Sequence, residues 1–277
     1  MGRDLILAID CVLIGLFKKM SEVYFLGTGG WVPTPERDNT SVLLRSGGRL
    51  VLIDCAGSAV AKLRKLAFDP RAVSTILLTH VHPDHVYGLP SFVHSLMLED
   101  GEVGVLGSDE AVAFARRLLD LFGLREKKVR MRVRFRTVRP GREVRLDRGL
   151  SLRAFRVPHH ISSLAYHFYL EKGNKEIVFS GDTPVFRPLF EDAQGVDVLI
   201  HEASAPVRYF QKYPQLYGLH TSALDLGQWS QEARVKRLVP CHFLAHVWRD
   251  PEEIRSEIRR AFRGGLAIPR DLQCVTL

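Results

Sequence analysis

Residues 79–85 read Thr79-His80-Val81-His82-Pro83-Asp84-His85, and they follow an apolar, β-branched run at positions 75–79 that predicts a buried strand. Four side chains within six residues carry an imidazole or a carboxylate. Histidine is not a preferred core residue, and burying three of them beside an aspartate is unfavourable without a cation. Zinc binds imidazole nitrogen and carboxylate oxygen readily. The stretch therefore indicates a metal site at the end of the strand, with a solvated histidine-rich loop as the structural alternative.

Further polar side chains stand directly after predicted apolar strands in the second half of the chain. They are His159, Asp182, His201, Glu202 and His242. One such residue alone would more often be a capping or hydrogen-bonded group. Because several occur in the same context, we expect one rim of the fold to collect them into a single site.

Length and composition favour an ordinary globular α/β protein. The chain has 277 residues, of which 46% are hydrophobic and 25% charged, whereas a typical domain has roughly 100–200 residues. Strand-rich segments alternate with single helices in both halves, which predicts sheets with helices on their outer faces. We therefore expect one domain over residues 20–277. The composition excludes a disordered, collagen-like, coiled-coil or polytopic membrane protein.

The first nineteen residues stand apart from this pattern. Positions 5–17 are apolar except for Asp10, and Lys18 and Lys19 follow them. This run is shorter than the roughly 20 residues that a membrane span needs, and its charges are not placed as in a signal peptide. We expect an N-terminal extension over residues 1–19 and no stable membrane span, with a short membrane-surface helix as the alternative.

The cysteines indicate a reducing environment. Cys11, Cys55, Cys241 and Cys274 show no paired spacing, so a disulfide framework is not expected. A cytoplasmic location fits this usage. Cys241 precedes a candidate ligand, but we expect it to be a small buried residue.

The net charge of +8 comes from one segment. Residues 125–148 hold eleven basic and three acidic residues, and the rest of the chain is balanced. Four arginines alternate there with uncharged residues, so the pattern predicts a strand with one basic face. They are Arg130, Arg132, Arg134 and Arg136. Such a face could neutralise a phosphate backbone. The alternatives are an edge strand protected from aggregation by its charge and an arginine-rich thermostable surface.

The order of the metal-binding motifs resembles that of the metallo-β-lactamase fold. The matching series is His80-x-His82-x-Asp84-His85, then His159, Asp182 and His242. The resemblance runs from about Met20 to the C-terminus. It implies an α/β fold, the four-layer αββα sandwich, with a dinuclear metal site between the two sheets.

The resemblance also implies which residues hold the ions. One metal would be bound by His80, His82 and His159, and the other by Asp84, His85 and His242, with Asp182 bridging them. His160 is the rival to His159, which is preferred because its seven-residue distance to Tyr166 matches the family's His-to-Gly-Tyr spacing. The implied cofactors are two divalent ions, Zn²⁺ first, with Mn²⁺ or Fe²⁺ as alternatives.

Three further segments resemble the ribonuclease Z branch of that family. They are Phe25-Leu26-Gly27-Thr28-Gly29, His201-Glu202-Ala203-Ser204 and His220-Thr221-Ser222-Ala223. By this resemblance Glu202 would orient His220, which would stabilise charge or protonate the leaving oxygen. Asp84 would help to deprotonate the attacking water, which two metals activate. The structural alternative for Glu202 and His220 is an ion pair or a helix cap.

The sequence differs from the family pattern in a segment that bears on which substrate is bound. Only 22 residues separate His159 from Asp182, where tRNA-processing members usually carry a long arm that grips tRNA. We expect a metal-dependent phosphodiesterase, with RNA or a tRNA precursor as the first substrate class and a homodimer as the assembly. The alternatives are a phosphodiesterase of cyclic nucleotides or cyclic ribose phosphates, a lactone or thioester hydrolase, and a non-catalytic nucleic-acid binder.

Overall fold

The computed structural model describes residues 21–248 and 250–277. The extension predicted over residues 1–19 and Cys11 lie outside the described residues. Most of the first half of the chain, with the last strand, forms one seven-stranded sheet in the order β14-β1-β2-β3-β4-β5-β6. Its strands are β1 (Glu22–Gly27), β2 (Ser41–Ser46), β3 (Arg49–Ile53), β4 (Val73–Leu77), β5 (Gly101–Gly107), β6 (Met131–Thr137) and β14 (Gln273–Thr276).

A second seven-stranded sheet has the order β13-β12-β11-β10-β9-β8-β7. Its strands are β7 (Glu143–Asp147), β8 (Leu150–Val157), β9 (Ser163–Leu170), β10 (Lys175–Phe179), β11 (Val198–Glu202), β12 (Arg237–Cys241) and β13 (Gly265–Leu266). Strands β3 to β6 run parallel in the first sheet, as β10 to β13 do in the second. β9 and β10 form an antiparallel hairpin, and the turn between them contains Gly173 and Asn174.

Helices accompany both sheets. They are α1 (Ala59–Lys65), α2 (Pro83–Val86), α3 (Gly88–Ser95), α4 (Asp109–Leu121), α5 (Arg187–Asp192), α6 (Val207–Lys212), α7 (Ala223–Glu232) and α8 (Pro251–Arg259). Serines cap α4 and α7, since the Ser108 and Ser222 hydroxyls accept hydrogen bonds from Ala111 N and Asp225 N. Within the described part of the chain, no helix has the length and apolar character needed to cross a membrane.

Alternating burial along the central strands explains the layers. In β3, Val51 and Ile53 belong to the core between the two sheets, while Leu50 and Leu52 pack in the cluster that includes α1, α3 and α4. In β11, Leu199 packs outward in the cluster of α5, α7 and α8. Strands that are buried on both faces read as continuous apolar runs, and each fully buried leucine contributes roughly 1.5–3 kcal/mol. The four-layer αββα sandwich is confirmed.

The parallel strands bring their carboxyl ends to a common rim. β3 leads into Asp54, β4 into His80, β10 into Asp182 and β12 into His242, and β11 ends on Glu202 itself. The short helices α5 and α6, which the sequence did not indicate, follow this rim in the second half. Each has six residues and begins without a side-chain cap, so little local signal marks it.

The last residue of β1, Gly27, lies too close to a neighbouring segment to accept a side chain. A Cβ added at Gly27 would lie 2.0 Å from the carbonyl oxygen of Asn39, whereas one added at Gly218 would meet nothing within 4 Å. We expect Gly27→Ala to lower the free energy of unfolding by about 1–3 kcal/mol through overpacking, measured by denaturant titration. Gly218→Ala is the matched control, and equal stability of the two variants would contradict this account.

Candidate metal and catalytic site

The histidine-rich segment turns sharply at the rim. After β4, His80 is completely buried, and α2 begins at Pro83, a residue that fits the first helical turn because it needs no amide donor there. This one-turn helix directs Asp84 and His85 back to the rim, where both are buried. The local sequence therefore brings four donor groups to the same part of the rim.

One group of donors surrounds His80. Its Nε2 lies 2.9 Å from Nδ1 of His82 and 3.8 Å from Oδ2 of Asp182. The same Nδ1 of His82 is 3.3 Å from Nε2 of His159. His160 is exposed and contacts the other nitrogen of His82, at 2.8 Å. The structure thus brings His159, and not His160, together with the other donors.

A second group lies beside the first. The Nε2 atom of His242 is 3.4 Å from Oδ2 of Asp84 and 3.3 Å from Nε2 of His85, and the last two atoms are 3.5 Å apart. Oδ2 of Asp182 is 3.2 Å from Nε2 of His242 and 3.5 Å from Nε2 of His85. Asp182 therefore stands between the two groups, as a bridging ligand would.

These separations fit metal ligation. Two ligand atoms at about 2.0–2.1 Å from a tetrahedral zinc ion lie about 3.3 Å apart, and most of the separations above are 3.2–3.5 Å. The groups His80, His82, His159 and Asp182, and Asp84, His85 and His242, each offer ligand atoms within 4.8 Å of one another. Imidazole nitrogen with carboxylate oxygen is a donor set that suits a divalent ion such as zinc. The cluster could hold such an ion in either group.

Burial and neighbouring charges set the protonation of these donors. Burial and the nearby His85 hold the pKa of His80 well below its usual range, and burial with His159 lowers that of His82 to about 4. Burial alone would raise the pKa of Asp182, but His242 and His85 more than offset it and hold that pKa well below the usual range. Neutral imidazoles and an ionised carboxylate are the forms that bind metal, and His80, His82 and Asp182 have these forms. Burial alone would lower the pKa of His85, but Asp182 and Asp54 more than offset it and raise that pKa well above the usual range, so this ring must lose a proton before it binds a metal.

Asp54 supports the cluster from beneath, and the sequence analysis did not single it out. Its buried carboxylate accepts hydrogen bonds from Thr79 N and Thr79 Oγ1, both at 2.8 Å, and lies 2.7 Å from Nδ1 of His85. Such a partner on the far nitrogen fixes the orientation of a ligating imidazole. The signal was available, since Asp54 directly follows an apolar strand, as the other candidates do.

Glu202 and His220 form a buried pair next to the cluster. Nδ1 of His220 is 3.0 Å from Oε2 of Glu202, whose other oxygen accepts from the backbone N–H of Thr183. Burial disfavours the charged imidazole, but Glu202 more than offsets this and raises the pKa of His220 to about 9. The His220 ring lies 5.7 Å from that of His159 and 5.8 Å from that of His242, centroid to centroid.

The geometry of this pair is compatible with two roles for His220. Ligand atoms of Asp182, His220 and His242 also come within 4.8 Å of one another, so His220 has the position of an acid or of a further ligand.

His201, the histidine directly before Glu202, stacks on Phe190 and directs Nδ1 to the carbonyl of Glu202. It therefore belongs to neither donor group.

The arginine-rich strand is β6, the edge of the first sheet. It contains Arg132, Arg134 and Arg136, whereas Arg130 directly precedes its first residue, and all four arginines are exposed, as the alternation predicts. Arg130 pairs with Asp100, and Arg134 pairs with Glu102 at 2.7 Å. For Arg132 and Arg136 no acidic partner occurs among residues 21–248 and 250–277. Half of the basic face is thus neutralised by neighbouring acids, and whether it binds nucleic acid stays a prediction.

Comparison with known proteins defines the class. A family model described as Beta-lactamase superfamily domain matches residues 49–243, a stretch that contains every candidate ligand and the Glu202–His220 pair. The chain belongs to this family. It is a metal-dependent hydrolase with the metallo-β-lactamase fold, as the sequence indicated.

Two relatives are similar over nearly their whole length. Ribonuclease Z of Archaeoglobus fulgidus is 24% identical, with 87% of this chain and 93% of that protein aligned. Ribonuclease Z of Pseudomonas putida (strain W619) is 28% identical, with 91% and 95% aligned.

Solved structures share the fold. The metallo-beta-lactamase fold protein YhfI from Bacillus subtilis has a TM-score of 0.77 at 17% identity, covering 92% of this chain and 99% of its own. Human tRNase Z, short form, has a TM-score of 0.74 at 23% identity, covering 92% and 98%. A diphosphatase from the PhnP family has a TM-score of 0.71 at 16% identity, covering 93% and 97%.

Asp54 offers a direct test of the cluster. We expect Asp54→Asn to weaken zinc affinity about 10- to 100-fold, because His85 loses the charged partner that orients it, measured by competition with a chromophoric chelator. Asp197→Asn is the control, since that carboxylate pairs with Lys175 and Lys236 at the start of β11. If Asp54→Asn folds normally and binds zinc as the wild type does, the assigned role is wrong.

Proposed function

We propose that this protein is an endoribonuclease that hydrolyses a phosphodiester near the 3′ end of RNA, with a tRNA precursor as its leading substrate. The relatives named Ribonuclease Z, aligned over 87–91% of the chain, support the reaction class. The observation that carries the proposal within the molecule is the Glu202–His220 pair, held beside the donor cluster.

The assignment of the metal ligands is part of the proposal. His80, His82 and His159 would hold one divalent ion, and Asp84, His85 and His242 the other, with Asp182 between them. Bound there, divalent ions supply Lewis acidity toward a phosphodiester and activate water. Zinc is the first candidate, with manganese and iron as alternatives.

Two of the chain's own groups would then handle protons. Asp84 is ionised, because the hydrogen bond with His242 lowers its pKa despite the burial that opposes charge, so it can accept a proton from the attacking water. His220 keeps its proton through Glu202 and can donate it to the departing ribose oxygen. Hydrolysis of a lactone or thioester makes less use of such an acid.

The leaving group decides whether His220 acts as an acid. A ribose oxygen needs a proton as it departs, whereas p-nitrophenolate leaves as a stable anion. We therefore expect His220→Ala to lower cleavage of an end-labelled tRNA precursor with a 3′ trailer by about 10²- to 10⁴-fold. Its hydrolysis of bis(p-nitrophenyl) phosphate should change little, and its zinc content should equal that of the wild type.

Each outcome of this comparison assigns a role. An equal loss on both substrates together with a lower zinc content would make His220 a metal ligand rather than an acid. No cleavage of the tRNA precursor by the wild type, with hydrolysis of the nitrophenyl diester retained, would contradict the RNA substrate. His246→Ala is a suitable control, because His246 is exposed in the turn after His242.

A second candidate function is hydrolysis of a small phosphodiester, such as a cyclic nucleotide or a cyclic ribose phosphate. The observation that favours it lies between His159 and Asp182, where β9 and β10 form a plain hairpin with no long arm. The structural likeness to the PhnP-family diphosphatase is compatible with a small substrate. The assembly as a homodimer and the cytoplasmic location stay predictions.

Variants of Arg132 and Arg136 distinguish two hypotheses for the basic strand, which are contact with RNA phosphates and protection of a sheet edge by charge. If β6 contacts RNA phosphates, changing both to Gln should reduce the slope of log affinity against log salt by about 1.4–1.8, because each phosphate contact contributes about 0.7–0.9. Arg130→Gln with Arg134→Gln is the matched control, since both of those arginines already pair with acids. An unchanged slope, with aggregation of the variant, would support a protected edge strand instead.

A further inference from the structure

Trp31 occupies an exposed position beside the proposed catalytic pair. It lies in the loop between β1 and β2, and its ring centroid is 5.3 Å from that of His220. The two ring planes are inclined by 34°. The centroid of the His220 ring lies within 6 Å of those of His159 and His242. Only the His220 ring therefore separates the indole from the donor cluster.

The loop that carries Trp31 is firmly anchored. Gly30 N donates to the carbonyl of Phe243 at 2.8 Å, and the side-chain amide of Asn39 donates to the carbonyl of Gly30 at 2.5 Å. The buried guanidinium of Arg37 donates to Thr28 Oγ1 at 2.6 Å and to the carbonyl of Pro269 at 2.8 Å. These contacts hold the chain on both sides of Trp31, so a partner that binds to the indole has little of the loop left to order.

The solvent exposure of this indole is unusual within the chain. Trp31 is 44% exposed, whereas Trp229 and Trp248 are partly buried and pack in the cluster outside the second sheet. An exposed aromatic ring on a fixed loop, next to a polar cluster, is suited to a ligand that joins a planar ring to a charged group. A nucleotide has this combination, since its base stacks while its phosphate is held a few ångströms away.

We propose that Trp31 is a specificity-determining residue that stacks on one of the two bases flanking the scissile phosphate. The inference rests on the proposed RNA substrate and deepens it. It also supplies what the basic strand lacks, because no aromatic residue accompanies the arginines on the exposed face of β6. The indole, and not the edge strand, would recognise the base.

The test is a double-mutant cycle between Trp31 and the substrate base. The RNA substrates carry either a normal nucleotide or an abasic one on each side of the cut, and kcat/KM is measured with the zinc-loaded enzyme. We expect Trp31→Ala to lower kcat/KM about 5- to 150-fold on normal RNA, the range for loss of one stacked base. On RNA that is abasic at the stacked position, Trp31→Ala should give no further loss. Trp31→Phe should restore part of the activity.

Val32→Ala is the matched control, since Val32 is 36% exposed in the same loop, and it should cleave RNA like the wild type. Equal losses for Trp31→Ala on normal and abasic RNA would overturn the stacking role and make Trp31 a residue that positions His220. Wild-type cleavage that is insensitive to either abasic site would overturn it too, while leaving the RNA substrate intact. Absence of RNA cleavage by the wild type would reject the proposed function and this inference together.

Discussion

The close approach of buried imidazoles and carboxylates at the rim is the constraint on which this structure depends. His80, His85, Asp182 and His242 are nearly inaccessible to water, yet their nitrogen and oxygen atoms lie only 3.2–3.8 Å apart. Polar groups buried so closely are unfavourable unless they are hydrogen-bonded or bind a cation. The two sheets provide the required geometry, because the carboxyl ends of their parallel strands meet on one side of the sandwich. Asp54 and Thr79 then fix one face of the cluster.

Burial and neighbouring charges give the histidines of this rim opposite pKa shifts. Around His80 and His82 burial lowers the pKa of each imidazole, which leaves neutral donors. Around His220 the carboxylate of Glu202 has the opposite effect and keeps a proton on the ring. In the proposed mechanism the same residue type would bind a cation at one position and donate a proton at the other. In active sites, residues of one type often have different pKa values because their environments differ, and they then take different acid and base roles.

The fold and most of the candidate site could be predicted from the sequence, for a physical reason. The spacing of His80, His82, Asp84 and His85 is a local property, and strand ends are visible in the apolar runs before His159, Asp182 and His242. What depends on packing between distant segments could not be predicted in this way. The role of Asp54 requires knowing that β3 and β4 are neighbours, and the position of Trp31 requires the loop to approach His220. The pairing of Arg130 with Asp100 and of Arg134 with Glu102 likewise needs the alignment of β5 with β6.

The position of the basic strand bears on how RNA would approach. β6 runs parallel to β5, so it ends at the same rim as the donor cluster. Thr137 at its end donates to Asp109, and the neighbouring Glu110 accepts from Ser162, which lies in the loop after His159. Of the four arginines, Arg136 is nearest this end of the strand and is one of the two without an acidic partner among the described residues. A phosphate backbone following β6 would therefore meet an arginine without an acidic partner at the end nearest the candidate metal ligands. The two paired arginines, Arg134 beside it and Arg130 at the far end, would contribute less because acids already neutralise them.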